Sequence, residues 1–143
     1  MNIKCTAYNG PADKTWTETR ILAVTKWWVE QLGLDRSEYK IKYLVDTTGE
    51  AFKECGADWE ACVQFSHAYL YATVQFNLPM WKENTDEQGQ EDILHELAHI
   101  LLHDFPAPNT DTEGNERNTS DAEERCCQRV ARAILKAKGL CPL

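Results

Sequence analysis

Two histidines and a glutamate fall within one short stretch of this chain, His-Glu-Leu-Ala-His at positions 95 to 99. Residues four apart share one face of an α-helix, so His95 and His99 can present two imidazoles to the same metal ion. Glu96 is rotated about 100° from His95 around the helix and can reach a water on that ion without being a ligand. This spacing is typical of zinc peptidases, in which the glutamate is the general base. We therefore predict one zinc ion per chain, with Glu96 as the catalytic residue.

The sequence around this motif is apolar on nearly every side of the predicted helix. A helix of that kind is expected at the centre of its domain, and ionisable side chains inside it require a partner such as a metal ion. The apolar residues are Ile93, Leu94, Leu97, Ala98, Ile100, Leu101 and Leu102.

A catalytic zinc site normally has three protein ligands and one open position, so a third ligand is needed. His103 lies two turns beyond His95, about 11 Å along the axis, which is too far for both imidazoles to meet at one ion. We expect His103 to be either a second-sphere donor near the site or a residue that interacts with the carboxyl end of its helix. An oxyanion stabiliser is also required, and His103, His67, Tyr69 and Tyr71 are candidates.

Two neighbouring glutamates early in the last predicted helix are the remaining candidates for the third ligand. Glu124 shares an apolar stripe with Cys127 and Ala131 and should point inward, whereas Glu123 can complete a capping box with Ser120. We predict Glu124 as the ligand and retain Glu123 as the alternative. The remaining interpretation is that both are solvated carboxylates favoured by the helix dipole.

The composition indicates an ordinary globular protein, which we expect to form one domain over residues 1 to 143. A net charge of −8 without a basic cluster argues against a nucleic-acid surface. The sequence has no long apolar run and no apolar leader, so we expect no membrane span and a cytoplasmic location. The six cysteines have no metal-ligand spacing and are expected to be free thiols. The oligomeric state is left open.

Hydrophobic periodicity predicts an α+β order of one helix, three strands and two helices. The predicted elements are a helix over about 13 to 32, strands over 39 to 46, 60 to 65 and 69 to 77, the histidine helix, and a last helix from Ser120. Residues 50 to 59 are ambiguous and suit a helical turn. Thr85 to Gln88 suit a capping box for the histidine helix, which should end just after His103 because Pro106 and Pro108 follow.

The histidine motif followed by Leu-Leu-His, a gap, and Glu-x-x-Cys-x-x-x-Ala resembles the ImmA/IrrE-type metallopeptidases, small gluzincins common in phages, mobile elements and bacteria. Their second helix usually carries Glu-x-x-Ala-Asn-x-Phe-Ala, and here the Asn and Phe are replaced by Gln128 and Val130. The strand end Val74 to Asn77 is also similar. The resemblance covers about residues 70 to 136.

The resemblance implies a zincin-like fold of the minimal gluzincin order and a zinc-dependent endopeptidase that acts on a protein or peptide, such as a repressor. The SprT-like proteases share this layout, but they act on DNA-bound proteins and the acidic charge counts against them. Two other classes stay open. One is a zinc-stabilised binding or regulatory protein without activity, and the other is an enzyme that acts on non-peptide amides.

Overall fold

The computed structural model describes residues 14–54, 56–66, 69–103 and 120–143. Within these ranges the fold is α+β, with three helices and one three-stranded sheet, as predicted. The helices are α1 (Glu18–Gln31), α2 (Asp86–Leu102) and α3 (Ser120–Lys138), and the strands are β1 (Lys40–Asp46), β2 (Ala61–Ser66) and β3 (Tyr71–Asn77). Single 3-10 turns over Leu34–Arg36, Glu50–Phe52 and Leu78–Trp81 join them. None of the described helices is long and apolar enough to cross a membrane.

The sheet is mixed, with the strand order β1-β3-β2. The central strand β3 pairs in parallel with β1 and antiparallel with β2, so that Val74 lies opposite both Tyr43 and Val63. Side chains alternate between the two faces of each strand. One face therefore carries the buried residues Ala72, Val74 and Phe76 of β3 together with their apolar partners on β1 and β2.

Helix α1 begins at Glu18, later than the predicted start near residue 13. The side chain of Thr17 accepts a hydrogen bond from the Arg20 backbone and thereby caps the helix. Its apolar stripe was predicted correctly, since Ile21, Val24 and Trp28 are fully buried. Gly33 follows the helix with φ of +70°, a conformation that glycine adopts without strain.

Helix α2 runs through the centre of the core, as its apolar sequence predicts. Thr85 and Gln88 form the predicted capping box. The helix ends at Leu102, and His103 is its C-cap residue. The ring of Trp16 lies over Gly89, where a β-carbon would stand 2.2 Å from the indole. That glycine lets α2 approach the segment before α1.

One buried glutamine fixes α2 against two other parts of the chain. The side-chain oxygen of Gln90 accepts hydrogen bonds from Trp28 Nε1 of α1, at 3.0 Å, and from the backbone of Cys141, at 2.7 Å. Its amide nitrogen donates to the Cys141 carbonyl at 3.3 Å. These bonds fix the orientation of the first turns of α2, the helix that carries the two histidines.

Helix α3 begins at Ser120, as predicted, and packs along α2 through the fully buried Cys127 and Ala131. Gly139 follows it with φ of +75°. The predicted capping box with Ser120 cannot be compared, because the side chain of Ser120 lies outside the described residues, as does the segment from 104 to 119. The described cysteines 126, 127 and 141 are free thiols, as expected.

Candidate metal centre

The two motif histidines turn the same nitrogen, Nε2, toward a single carboxylate on α3. Oε2 of Glu124 lies 2.6 Å from His95 Nε2, and Oε1 of Glu124 lies 3.1 Å from His99 Nε2. One ligand atom from each of the three residues falls within 4.8 Å of the other two. Two imidazole nitrogens and one carboxylate are a donor set that suits zinc. The predicted third ligand, Glu124, is therefore in reach of both histidines.

The other nitrogen of each imidazole is held by a different residue of α3. Nδ1 of His95 lies 2.8 Å from Oε1 of Gln128, and Nδ1 of His99 lies 2.8 Å from Oε1 of Glu123. Metal-binding histidines commonly donate their second ring N–H to a carbonyl or carboxylate in this way. Glu123, predicted to reach back to the helix start, thus contacts His99 from the side opposite Glu124.

Gln128 belongs to a short polar chain across the α2–α3 interface. Its amide nitrogen donates to Glu91, whose Oε1 also accepts from Arg132 Nε at 2.9 Å. Because the amide nitrogen is used in this way, the amide oxygen is left to accept from His95. The chain fixes the orientation of that imidazole.

Glu96 lies beside the two histidines and is buried, with 9% of its surface exposed. Burial raises the pKa of its carboxyl group to about 7, while the two nearby histidines oppose the shift. No hydrogen bond joins its carboxylate to another described residue. A buried, unpaired carboxylate of this kind is suited to accept a proton from a reactant.

A cleft of about 650 Å³ runs along these residues. One wall is formed by α2 and α3, through His95, Glu96, His99 and Glu124, and the other by β2 and the residues that precede it. A ligand in this cleft would reach the three candidate metal ligands and Glu96 together. These four side chains are therefore accessible from the cleft.

A second group of donors, His99, Glu123 and Cys127, also lies within 4.8 Å of one another. In this group His99 would contribute Nδ1, the nitrogen that faces Glu123, instead of Nε2. Burial raises the pKa of the Cys127 thiol to about 12, so the thiolate that a metal requires is disfavoured there. The group with Glu124 is the stronger candidate.

None of the three described candidates for the oxyanion or second sphere lines the cleft itself. His103 stacks on Phe65 with ring centroids 3.8 Å apart and meets Tyr39 edge-on, in an aromatic cluster at the end of α2. Tyr71 lies on the sheet face opposite the helices, because its immediate neighbour Ala72 faces the core, and Lys42 Nζ lies 4.2 Å over its ring. Tyr69 is 75% exposed and stacks on Tyr71. The fourth candidate, His67, lies outside the described residues.

Three residues of the site were not singled out from the sequence. Gln128 was noted only as the residue that replaces the usual asparagine of the family. Nothing in the type or spacing of a glutamine predicts a hydrogen bond to a histidine. Glu60 and Asp92 both line the cleft, yet they are distant in sequence and come together only through the packing of β2 on α2. Asp92, His95 and Glu96 are spaced at i, i+3 and i+4 and therefore share one face of the helix. That spacing could have predicted that Asp92 lies near the site.

The donor set and its geometry fit a zinc ion, since two imidazoles, one carboxylate, hydrogen-bond partners for the second ring nitrogens and an adjoining cleft are all present. Comparisons with protein-family models, with curated proteins and with solved structures found no match to this chain.

Proposed function

We propose that this protein is a zinc-dependent metallopeptidase with a zincin-like fold of the gluzincin type. The single observation that carries this proposal is the convergence of His95, His99 and Glu124 on one point, beside the unpaired carboxylate of Glu96 and within an open cleft. The ligands would be those three residues, with one zinc ion per chain. The order of elements, with the histidines on α2 and the glutamate on α3, agrees with the resemblance.

A bound zinc ion would polarise the scissile carbonyl and lower the pKa of a coordinated water. Glu96 accepts a proton at its carboxylate as the water attacks the peptide carbonyl, and returns it to the leaving amine. Its buried position excludes bulk water and keeps its basicity above that of an ordinary glutamate. Gln128 and Glu123 hold both imidazoles in the orientation that keeps Nε2 free.

A peptide is the favoured substrate because the cleft runs beside the edge of the sheet. Within the described chain β2 pairs only with β3, so its other edge is available to an extended segment. Extended peptides commonly bind by adding a strand to such an edge. The resemblance adds regulatory proteins, such as repressors, as a substrate class.

The rival proposal is a zinc-stabilised binding protein without activity. A structural zinc site is normally closed by a fourth protein ligand and needs no base. Here the described residues supply three ligands to a site that opens onto a cleft, and Glu96 is buried without a hydrogen bond. These features favour the enzyme. A non-peptide amide remains an alternative substrate for the same base.

The test combines metal analysis with a cleavage assay. Purified protein should contain about one zinc per chain, and it should cleave members of a quenched-fluorescence peptide library in a zinc-dependent manner. The isosteric Glu96→Gln variant is the matched control and should retain zinc without cleavage. A zinc content near zero that added zinc cannot raise would rule out the metal centre. Full zinc occupancy with no cleavage of any peptide would favour the binding protein.

A further inference from the structure

Two carboxyl groups face each other in the cleft, outside the set that surrounds the metal ligands. Glu60 lies immediately before β2, and Asp92 lies one turn before Glu96 on α2. Their side chains are hydrogen-bonded to each other, which requires one shared proton. Asn84 Nδ2 also donates to Oδ2 of Asp92 at 3.2 Å.

This pair has no cationic partner within the described parts of the chain, unlike the two glutamates of α3 that line the same cleft. Glu123 and Glu124 contact histidines, and Glu91 nearby contacts Arg132. Burial and the neighbouring carboxylates Glu60, Glu91 and Glu96 raise the pKa of Asp92 to about 9. Placing these carboxyl groups close together costs free energy, and a cation bound in the cleft would offset that cost.

Two further observations show that this end of the cleft is arranged for a ligand. The carboxylate of Glu96, nine-tenths buried, lines the same cleft and has no hydrogen bond with any described residue. Trp59 also lines the cleft and is 50% exposed, although large aromatic side chains are normally buried. Its ring packs on Gly56, where a β-carbon would stand 2.3 Å from the indole, so the ring is held in position.

We propose that Trp59, Glu60 and Asp92 form a subsite for a lysine or arginine side chain of the peptide substrate. The aliphatic stem of either residue would pack on the exposed indole, and its charged group would reach the two carboxyl groups. The shared proton leaves to solvent as the cation arrives. We call these three residues the acidic subsite. It rests on the proposed peptidase function and names the substrate side chain that the cleft selects.

A basic side chain fits the acidic subsite better than a second metal ion does. The described donor groups that could hold a metal do not include Glu60 or Asp92. One oxygen of Asp92 is already occupied by the amide N–H of Asn84, which would repel a metal ion. Ammonium and guanidinium groups need only two carboxylate acceptors and bring their own hydrogen-bond donors.

The experiment measures peptide binding without cleavage, using the zinc-loaded full chain with Glu96→Gln. Labelled peptides carry Lys, Arg, norleucine or Glu at one scanned position, and fluorescence anisotropy gives each affinity. At one position, Lys and Arg should bind at least about tenfold more tightly than norleucine, and Glu should bind weakest. The added pair of substitutions Glu60→Gln and Asp92→Asn should abolish that preference and leave norleucine binding unchanged.

Matched controls separate the acidic subsite from general charge. Glu87→Gln removes one carboxylate from the exposed first turn of α2 and should keep the full preference. Trp59→Leu should weaken Lys and Arg binding by roughly threefold. Circular dichroism and zinc content establish that each variant is folded and loaded.

Each of four results would overturn one of the two proposals. Equal binding of the Lys and norleucine peptides, or a preference that survives in the Glu60→Gln, Asp92→Asn variant, contradicts the acidic subsite. Cleavage by the unmodified enzyme without charge preference contradicts the acidic subsite alone and leaves the peptidase intact. A charge preference in binding, with no cleavage of any peptide by the unmodified zinc-loaded protein, contradicts the peptidase alone.

Discussion

The side-chain oxygen of Gln128 lies 2.8 Å from Nδ1 of His95 and can only accept a hydrogen bond there. Nδ1 must therefore carry the proton, and in the neutral imidazole Nε2 is left as the lone-pair donor. Nε2 is the atom that faces Glu124. Gln128, one turn after Glu124, thus selects the tautomer of His95 whose Nε2 could bind a metal ion, and Glu123 does the same for His99.

The base is tested by Glu96→Gln. Amide and carboxylate have nearly the same shape, but only the carboxylate accepts a proton, so peptide cleavage should fall by about a hundredfold to ten-thousandfold. Zinc content measured by atomic absorption should stay at about one per chain. If the variant loses its zinc, Glu96 is a ligand and the assigned geometry is wrong.

The third ligand is tested by zinc affinity across alanine variants. Glu124→Ala should weaken binding most, because it removes a direct ligand. Glu123→Ala and Gln128→Ala should each weaken it by about tenfold to a hundredfold, as loss of a supporting hydrogen bond does. His103→Ala should leave affinity unchanged, since His103 stacks on Phe65. A competition assay with a chromophoric chelator gives these affinities, and a largest loss in Glu123→Ala would exchange the roles of the two glutamates.

The buried carboxyl pair predicts a pH-dependent stability. The pKa of Asp92 is raised to about 9 in the folded chain, above its ordinary value of 3.8, so the folded state holds a proton that the unfolded state releases. Stability is then lost progressively as the pH rises between these values. Asp92→Asn should remove that loss and raise the free energy of unfolding by on the order of 1 kcal/mol at about pH 8, with little gain at about pH 4.

Urea unfolding of the zinc-free protein at both pH values measures the effect. Glu87→Gln is the control, because it removes an exposed carboxylate from the same helix and should not change the pH slope. A variant that is equally destabilised at both pH values would show that Asp92 is ionised in the fold.

Metal removal should loosen α3 more than the rest of the fold. Only Cys127 and Ala131 of its side chains are fully buried among the described residues, whereas α1 buries Ile21, Val24 and Trp28 completely. Zinc at about a thousandfold above its dissociation constant should add about 4 kcal/mol of stability. Hydrogen exchange with and without chelator should show lost protection in α3 and little change in α1. Uniform loss across the chain would mean that α3 and the core unfold together.

Gly89→Ala tests the close approach of Trp16 to α2. Alanine favours helix by about 1 kcal/mol over glycine, but its β-carbon would lie 2.2 Å from the Trp16 ring. The indole must move and would strain its hydrogen bond from Nε1 to the Thr85 carbonyl. We expect a net destabilisation of about 1–3 kcal/mol by thermal unfolding. A stabilised variant would show that the indole shifts without cost.

Local pattern was sufficient to predict the parts of the site that lie on one element. The spacing of His95 and His99 is a property of any helix. The stripe shared with Cys127 and Ala131 predicted that Glu124 points inward; its carboxylate does face both histidines, but its side chain is 52% exposed because it lines the open cleft. The three strands could also be predicted, because alternation marks which side chains share a face; their pairing could not. The capping box at Thr85 was local in the same sense and is present.

Long-range packing decided what the sequence could not show. Glu60 and Asp92 meet only because β2 packs on α2. Tyr71 faces away from the cleft because strand alternation places it on the outer side of β3. Which side of the sheet is the outer one depends on where the helices pack, and the sequence pattern of the strand does not show that. His103 is drawn into an aromatic cluster with Tyr39 and Phe65, whose positions depend on the parallel pairing of β1 with β3.

The one-sided sheet has a consequence for how this protein tolerates mutation. Among the described residues, helices cover only the face with Val74 and its neighbours. The outer-face residues Lys42, Gln64 and Tyr71 line neither the core nor the cleft. In a saturation mutagenesis library scored for folding, tolerance to substitution should therefore alternate along β1 and β3, with every second position accepting most residues. The outer positions can diverge rapidly between descendants of this chain while α2, with His95 and His99, stays constant.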